Sequence, residues 1–249
     1  MLDPSIYASM RRRPPGRPAM LQQWRDLLFI HQDVAPETVQ AMLPKGLTVD
    51  TFPVDGAERA WIGLVPFHMQ GIRPPWLPAI PWLSAFPEVN VRTYVHRDGQ
   101  EPGVWFFSLD AARWLACRYA RTAFRLPYFH AHMGASREGD SVTYRSARTG
   151  PDALTLSLDY RIGPEMECPA PGTLEHWLVE RYLLYADAPS GLRRGRVFHP
   201  PYPLRQAEIV KLESTLVEAS GFAFDQWRHV CFSPGVDVEV FSLEPPFAQ

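Results

Sequence analysis

The sequence predicts an α+β chain of mainly antiparallel strands, a barrel or strongly curved sheet with a few short helices. Three observations carry this expectation. Strand-length segments with alternating polarity recur from Leu27 to Val240. Turn pairs such as Asp98-Gly99 and Gly139-Asp140 separate them, and the helical patterns in between are short.

In chain order, residues 1–20 read as a flexible arm. Arg11-Arg12-Arg13-Pro14-Pro15-Gly16-Arg17-Pro18 joins like charge to proline, a composition that buries too little apolar area to offset its ordering entropy. Residues 21–249 read as one domain, because no linker, repeat or low-complexity break follows. Leu27-Leu28-Phe29-Ile30 reads as a buried strand. Pro36 suits the first position of a short helix with Val39, Met42 and Leu43 as its stripe and Gly46 as its C-terminal cap. Trp61-Ile62-Gly63-Leu64-Val65 is a second apolar strand, and Pro66 within it implies an edge, a bulge or a strand end. The passage from Pro74 to Pro81, with Trp76 and Trp82, is expected as an ordered loop packed over the body. An exposed aromatic patch is the alternative.

Glu88 to Val95 alternates cleanly. Val89, Val91, Thr93 and Val95 point one way, while Glu88, Asn90, Arg92 and Tyr94 point the other. Asp98-Gly99 predicts a hairpin to a strand at 104–109. Asp110 then stands where a helix N-cap belongs, ahead of Ala112, Leu115, Ala116, Tyr119, Ala120 and Ala123 on one buried face. Arg118, Arg121 and Arg125 share another face until Pro127 ends the helix. Hairpins follow around Gly139-Asp140 and Gly150-Pro151, the second leading into the apolar alternation Leu154, Leu156, Leu158, Tyr160. A short helix from Thr173, a hairpin at Pro189-Ser190-Gly191 and a last strand carrying Val236, Val238 and Val240 complete the reading.

Composition bounds the function. A net charge of −2 over 249 residues gives no electrostatic footprint for nucleic acid or an anionic membrane. No run approaches the length of a membrane span and the N-terminus has no signal-like apolar core, so a cytoplasmic setting is the default. Cys117, Cys168 and Cys231 lie far apart and form no CxxC pair, which argues against a zinc or redox motif. His130-x-His132 places two imidazoles on one strand face without a visible third ligand, so no metal is expected. No nucleotide fingerprint, phosphate-cradling loop or nucleophile elbow occurs, and no cofactor is expected. Any mechanism needing a lysine has only Lys45 and Lys211 to draw on.

Several separated motifs carry a resemblance: Leu43-Pro44-x-Gly46-Leu47-x-Val49-Asp50, the block 86–133, Glu180-Arg181-Tyr182-x-Leu184-Tyr185 and His199-Pro200-Pro201-Tyr202-Pro203-Leu204. From about Trp24 to Ser242 the chain resembles the domain-of-unknown-function family 2071, or YqjF-like family. That family resembles the acetoacetate decarboxylase superfamily, a cone-like antiparallel barrel around a central cavity. The resemblance implies that Arg25 and Glu88 match pocket residues, and that Arg118 or Arg121 corresponds in kind to a helix arginine. The superfamily's two adjacent lysines do not carry over, because Tyr128 and Phe129 stand there. A Schiff base needs an amine nucleophile, so decarboxylation by that route is not expected.

What the resemblance implies instead is a pocket. Glu88 facing a closed interior has a raised pKa unless Arg25, Arg92 or Arg121 pairs with it. Tyr128 is placed to donate to an oxyanion and His130 to titrate near neutrality. These residues suit proton transfer beside a carbonyl, or an arginine clamp on a ligand carboxylate. The alternative stays open: Glu88, Asn90 and Arg92 as the solvated face of a half-buried strand. Three functions follow: an enzyme acting by acid–base chemistry on a small anionic or carbonyl-bearing metabolite, a non-catalytic sensor or carrier, or an interaction scaffold with a filled barrel. Filling by Trp105, Phe107 and Tyr128 would single out the third. A homo-oligomer is expected from superfamily habit.

Overall fold

A run such as Leu27-Leu28-Phe29-Ile30 offers no polar residue to water, so both of its faces need a core. The computed structural model describes residues 2–151, 153–224 and 226–247, and it supplies a core on each side.

Helix α1 (Pro4–Met10) precedes strand β1 (Met20–Val34), helix α2 (Pro36–Gln40), strands β2 (Thr48–Val49) and β3 (Phe52–Val54), and the long β4 (Ala57–Arg73). Helix α3 (Pro81–Ser84) leads into β5 (Phe86–Arg97) and β6 (Gln100–Ala111), then helix α4 (Trp114–Ala123). Strands β7 (Tyr128–Glu138), β8 (Ser141–Arg148) and β9 (Thr155–Glu165) follow, then helix α5 (Leu174–Val179). The last strands are β10 (Leu183–Ala188), β11 (Gly191–Phe198), β12 (Arg205–Ser214) and β13 (His229–Val240).

Neighbouring strands β13-β1-β4-β5-β6 form a wall that closes on itself twice. On one side β7, β8, β9 and β12 complete a ring, joined by the parallel β6–β7 pairing and the antiparallel β12–β13 pairing. On the other side β10 and β11 do so, through the parallel β6–β10 pairing and the antiparallel β11–β13 pairing. Wall residues alternate between the two interiors. Leu27, Phe29, Trp61, Val65 and Phe67 enter the core on the β10–β11 side. Leu28, Ile30, Ile62, Leu64, Val89 and Val91 enter the other, against Leu156, Leu158 and Tyr160 of β9. The chain is therefore mainly antiparallel β, cone- or barrel-like, with short helices.

Turn chemistry follows the residues. Asp98 and Gly99 take φ of 50° and 70°, the left-handed pair that a two-residue hairpin requires. Pro66 lies mid-strand at a bulge, the second of its three readings. Between the pairings Arg25↔His68 and Ile30↔Leu64, five steps along β1 match four along β4, and Asp26 there takes φ of 50°. The missing proline donor falls where the ladder is already interrupted.

Several elements depart from expectation. Asp110 is not a helix cap: β6 runs past it to Ala111 and Arg113 holds the cap position. The reason is a competing partner, since the buried Asp110 carboxylate is bound by Arg148 at 2.6 Å. Helix α2 ends at Gln40, so Gly46 (φ 91°) serves a later turn and only Val39 of the expected stripe is fully buried. Trp76 and Trp82 are 76% and 66% exposed rather than packed down. Leu115 and Tyr119 of α4 are 49% and 58% exposed, because their stripe borders an opening instead of a sealed core. The N-terminal segment is anchored at Tyr7, which is buried and donates to both oxygens of Asp50 at 2.9 Å. Its apolar ring supplies the burial that the arginine–proline run lacks.

Candidate functional site

The alternation of β5 sends Val89 and Val91 into one core and Glu88, Asn90 and Arg92 toward the other. There they line a cavity of about 550 Å³. Trp24 and Leu27 of β1, Phe67 of β4, Leu109 of β6 and Tyr128 of β7 supply more of its wall. Trp105 packs with Val95 and Tyr185, and Phe107 meets Phe222 in a tilted ring contact with centroids 5.1 Å apart, so neither fills this space.

Glu88 is 2% exposed, and its carboxylate accepts from the Tyr128 hydroxyl at 3.0 and 3.2 Å. No arginine or lysine lies within ion-pair distance of it among the described residues. Burial therefore pushes Glu88 up to about 8, the Asp110 charge adds to the rise, and the Tyr128 hydrogen bond only opposes it. At neutral pH Glu88 is mostly a neutral acid. Tyr128 is itself raised well above the usual phenol value, by burial and then by Glu88, and remains a proton donor. The hydroxyl of Tyr144 donates to the Glu88 backbone carbonyl at 2.8 Å from the opposite face and fixes the strand there.

Arg92 occupies the same strip. Its Nη2 donates to the Tyr94 hydroxyl at 3.2 Å and to the Leu178 carbonyl at 3.3 Å, and its guanidinium lies over the Phe29 and Tyr94 rings. Among the described residues it has no carboxylate partner, and buried Arg92 Nε and Asn90 Oδ1 lack hydrogen bonds. Behind it runs a polar chain: Tyr94 Oη meets His31 Nε2 at 2.6 Å, and His31 Nδ1 meets His229 Nδ1 at 3.0 Å. Burial, then the neighbouring His229 and Arg92 charges, hold His31 well below its usual range. Burial likewise brings His229 down to about 4. Both imidazoles are neutral, so one can donate to the other. This chain was invisible in the sequence: His31 and His229 become neighbours only through the β1–β13 register, where they are direct cross-strand partners.

The structure brings Glu88, Arg92 and Tyr128 together and leaves out Arg25, Arg121 and His130. The bulge at Asp26 explains Arg25. With one extra residue in β1, Trp24 and Leu27 both face the cavity, and Arg25 turns outward to the Val236 carbonyl at 2.7 Å and to the Asp237 carboxylate. Arg121 is exposed, donates to the Tyr128 backbone carbonyl and lies over the Phe129 ring. His130 sits on β7 against Thr149 and the edge of His132, away from the cavity. Neither Lys45 nor Lys211 lines the cavity, and Lys211 lies 3.2 Å from Glu213. Among the described residues no group of three His, Cys, Asp or Glu side chains is placed to hold a metal ion.

The Glu180-Arg181 motif has structural work instead. Arg181 Nη1 pairs with Asp50 at 2.8 Å, both almost fully buried, and its guanidinium stacks on Trp177. Trp177 Nε1 donates to Tyr7 Oη, which in turn donates to Asp50. Glu180 accepts from the Tyr202 amide at 3.0 Å and from the Tyr182 hydroxyl. The buried ion pair of this motif therefore runs to Asp50, while His199 stacks on Tyr182.

This fold and site can be set beside known proteins. The chain is similar to acetoacetate decarboxylase from Legionella pneumophila, with a TM-score of 0.64 at 12% identity, covering 96% of this chain and 95% of that one. It is also similar to an acetoacetate decarboxylase-like enzyme from Sphingomonas wittichii, with a TM-score of 0.58 at 15% identity and coverage of 93% and 95%. The enduracididine biosynthesis enzyme MppR, solved in complex with pyruvate, gives 0.60 at 10% identity and coverage of 94% and 92%. At these identities the likeness is one of fold. In sequence, the chain is 38% identical over 213 residues to the uncharacterized protein YqjF of Bacillus subtilis, 86% of each chain. Residues 21–237 match the family DUF2071, described as an uncharacterized conserved protein. The chain belongs to that family, carried on an acetoacetate decarboxylase-like fold.

Proposed function

We propose that the cavity binds a small anionic or carbonyl-bearing metabolite and that Glu88 and Tyr128 act on it by acid–base chemistry without a Schiff base. One observation carries the reading: a buried carboxyl group whose side-chain partner among the described residues is a tyrosine hydroxyl, lining a mostly apolar cavity. If the Tyr128 hydroxyl turns from Glu88 to a ligand carbonyl oxygen, it and protonated Glu88 become two donors to that oxygen, where negative charge develops during enolisation or C–C cleavage. An acid poised near neutral pH both gives and recovers a proton readily. Arg92, lacking a carboxylate partner among the described residues, is suited to an anionic group of a ligand long enough to span the roughly 13 Å from the Glu88–Tyr128 pair. No lysine is among the residues lining the cavity, so the electron sink in this reading is a carbonyl oxygen held by the Glu88 and Tyr128 donors rather than an imine.

The test is a panel of 2-oxo and 3-oxo carboxylates, with binding followed by the fluorescence of Trp24 in the cavity wall and turnover by proton NMR in D2O. The expected result is binding by wild type, with exchange or cleavage beside the carbonyl falling about 100-fold or more in Glu88→Gln. Binding without exchange in wild type assigns the same cavity to a carrier or sensor. Binding and exchange unchanged in Glu88→Gln sink the assignment. A reducing cytoplasmic setting fits the free cysteines Cys117, Cys168 and Cys231.

A further inference from the structure

The cavity has more room, and a more apolar wall, than a four-carbon keto acid needs. Its volume of about 550 Å³ lies within the roughly 300–1,000 Å³ of pockets for drug-sized ligands. At about 30 Å³ per molecule that is space on the order of eighteen waters. Outside one polar strip, most of the wall comes from residues such as Leu27, Val65, Phe67, Phe86, Phe106 and Leu109.

The cavity also has a direction. Leu77, Ile80, Leu115 and Tyr119 line it while each is about half exposed, so they form its mouth. Both mouth segments join the sheet at one end. Residues 74–84 run straight into β5 just before Glu88, and α4 follows Ala111, the cross-strand partner of Glu88. Arg92 lies four residues further along β5, about 13 Å from Glu88 at the rise of a strand. From outside inward the order is a largely apolar rim that also carries Arg73, the Glu88–Tyr128 pair, Asn90, then Arg92.

The inner end carries an uncompensated charge. No carboxylate of the described residues pairs with the Arg92 guanidinium. Asn90 Oδ1 beside it has no hydrogen bond either. Leaving a guanidinium unpaired against an apolar cavity is costly, and an anionic ligand group removes that cost. A polar head inside and a long apolar stretch to the mouth match only one shape of molecule. Resting on the ligand-binding reading above, we infer that the ligand is an amphipathic carboxylate, with its head on Arg92 and its hydrocarbon body running past Glu88 and Tyr128 to the Leu77–Leu115 mouth. In this pose an extended chain of about ten carbons spans the roughly 13 Å from Arg92 to the Glu88–Tyr128 pair, so an oxo group at that distance from the head would meet it.

Calorimetric titration with butanoate, hexanoate, octanoate and decanoate, with octanol as the neutral control, tests this on the full-length protein. Each added methylene should tighten binding about fourfold, from about 0.8 kcal/mol per buried CH₂. Octanoate should therefore bind on the order of 200-fold tighter than butanoate. Arg92→Gln should weaken octanoate tenfold or more and leave octanol unchanged. Leu115→Glu, on the exposed rim where folding is not at stake, should weaken tetradecanoate, a chain long enough to reach the mouth, and spare butanoate. Butanoate binding as tightly as decanoate overturns the apolar body while leaving the ligand-binding reading standing. Octanoate affinity unchanged in Arg92→Gln overturns the placement of the head. No binding by a carboxylate of any length overturns the inference together with the reading it rests on.

Discussion

Replacing Glu88 by Gln keeps the shape of the side chain and its contact with Tyr128 but removes the ionisation. The consequence for stability has a defined sign. In the folded protein Glu88 titrates near 8, against 4.5 for the unperturbed group. The native state therefore holds this proton more tightly than the unfolded chain does. Its contribution is complete below about pH 4.5 and is lost as pH rises through 8. At about 1.36 kcal/mol per pH unit, wild type should lose about 4 kcal/mol through this group between pH 5 and pH 9. Glu88→Gln loses none of it. The assay is urea denaturation of both proteins at pH 5 and pH 9. Other titrating groups cancel in the difference between the proteins, leaving Glu88. The variant should gain about 4 kcal/mol relative to wild type at the higher pH. If the two proteins stay parallel within about 0.5 kcal/mol, Glu88 ionises like a solvated carboxylate. A water-filled open face would then replace the apolar cavity, and the argument for a poised acid would fail.

Tyr128→Phe removes the one hydrogen bond that holds the Glu88 pKa down. A bond to a carboxylate is worth about 1.5–3 kcal/mol, so the loss of stability should continue to a pH about one unit or more higher than in wild type and be correspondingly larger, seen in the same denaturation series. Asp50→Ala strands the buried Arg181 guanidinium and the Tyr7 hydroxyl. It should cost about 3–5 kcal/mol in urea denaturation, and a cost under about 1 kcal/mol would show that the pair is solvated. His229 titrates near 4 in the fold and near 6.5 when unperturbed. Its stability contribution is present above 6.5 and is lost as pH falls toward 4, by about 3 kcal/mol, so His229→Gln should flatten the acid limb of the stability profile.

Much of this architecture was legible because strand periodicity and turn chemistry are local. The alternation from Glu88 to Val95 already separates the cavity face from the valine face, and Asp98-Gly99 already demands its turn. What escaped was decided by residues distant in sequence. Asp110 looks like a cap until Arg148 arrives from another strand to claim it. Arg25 looks like a pocket residue until a bulge at Asp26 reverses its side of the sheet. The α4 stripe reads as core, since periodicity reports that a face is apolar and not whether protein or a cavity mouth lies against it. Tyr7 shows the converse: one aromatic residue anchors a segment whose average composition argues for disorder. His31 and His229, nearly two hundred residues apart, could be paired only by knowing which strands adjoin.

The central claim is that Glu88 is a buried, protonated acid inside a cavity that a ligand enters. Carbon-13 NMR of protein labelled at glutamate carboxyls measures this directly, with the Glu88 signal identified by its loss in Glu88→Gln. A midpoint near 8, displaced when decanoate is added, is the predicted result. A midpoint near 4.5 that ignores the ligand would contradict the account.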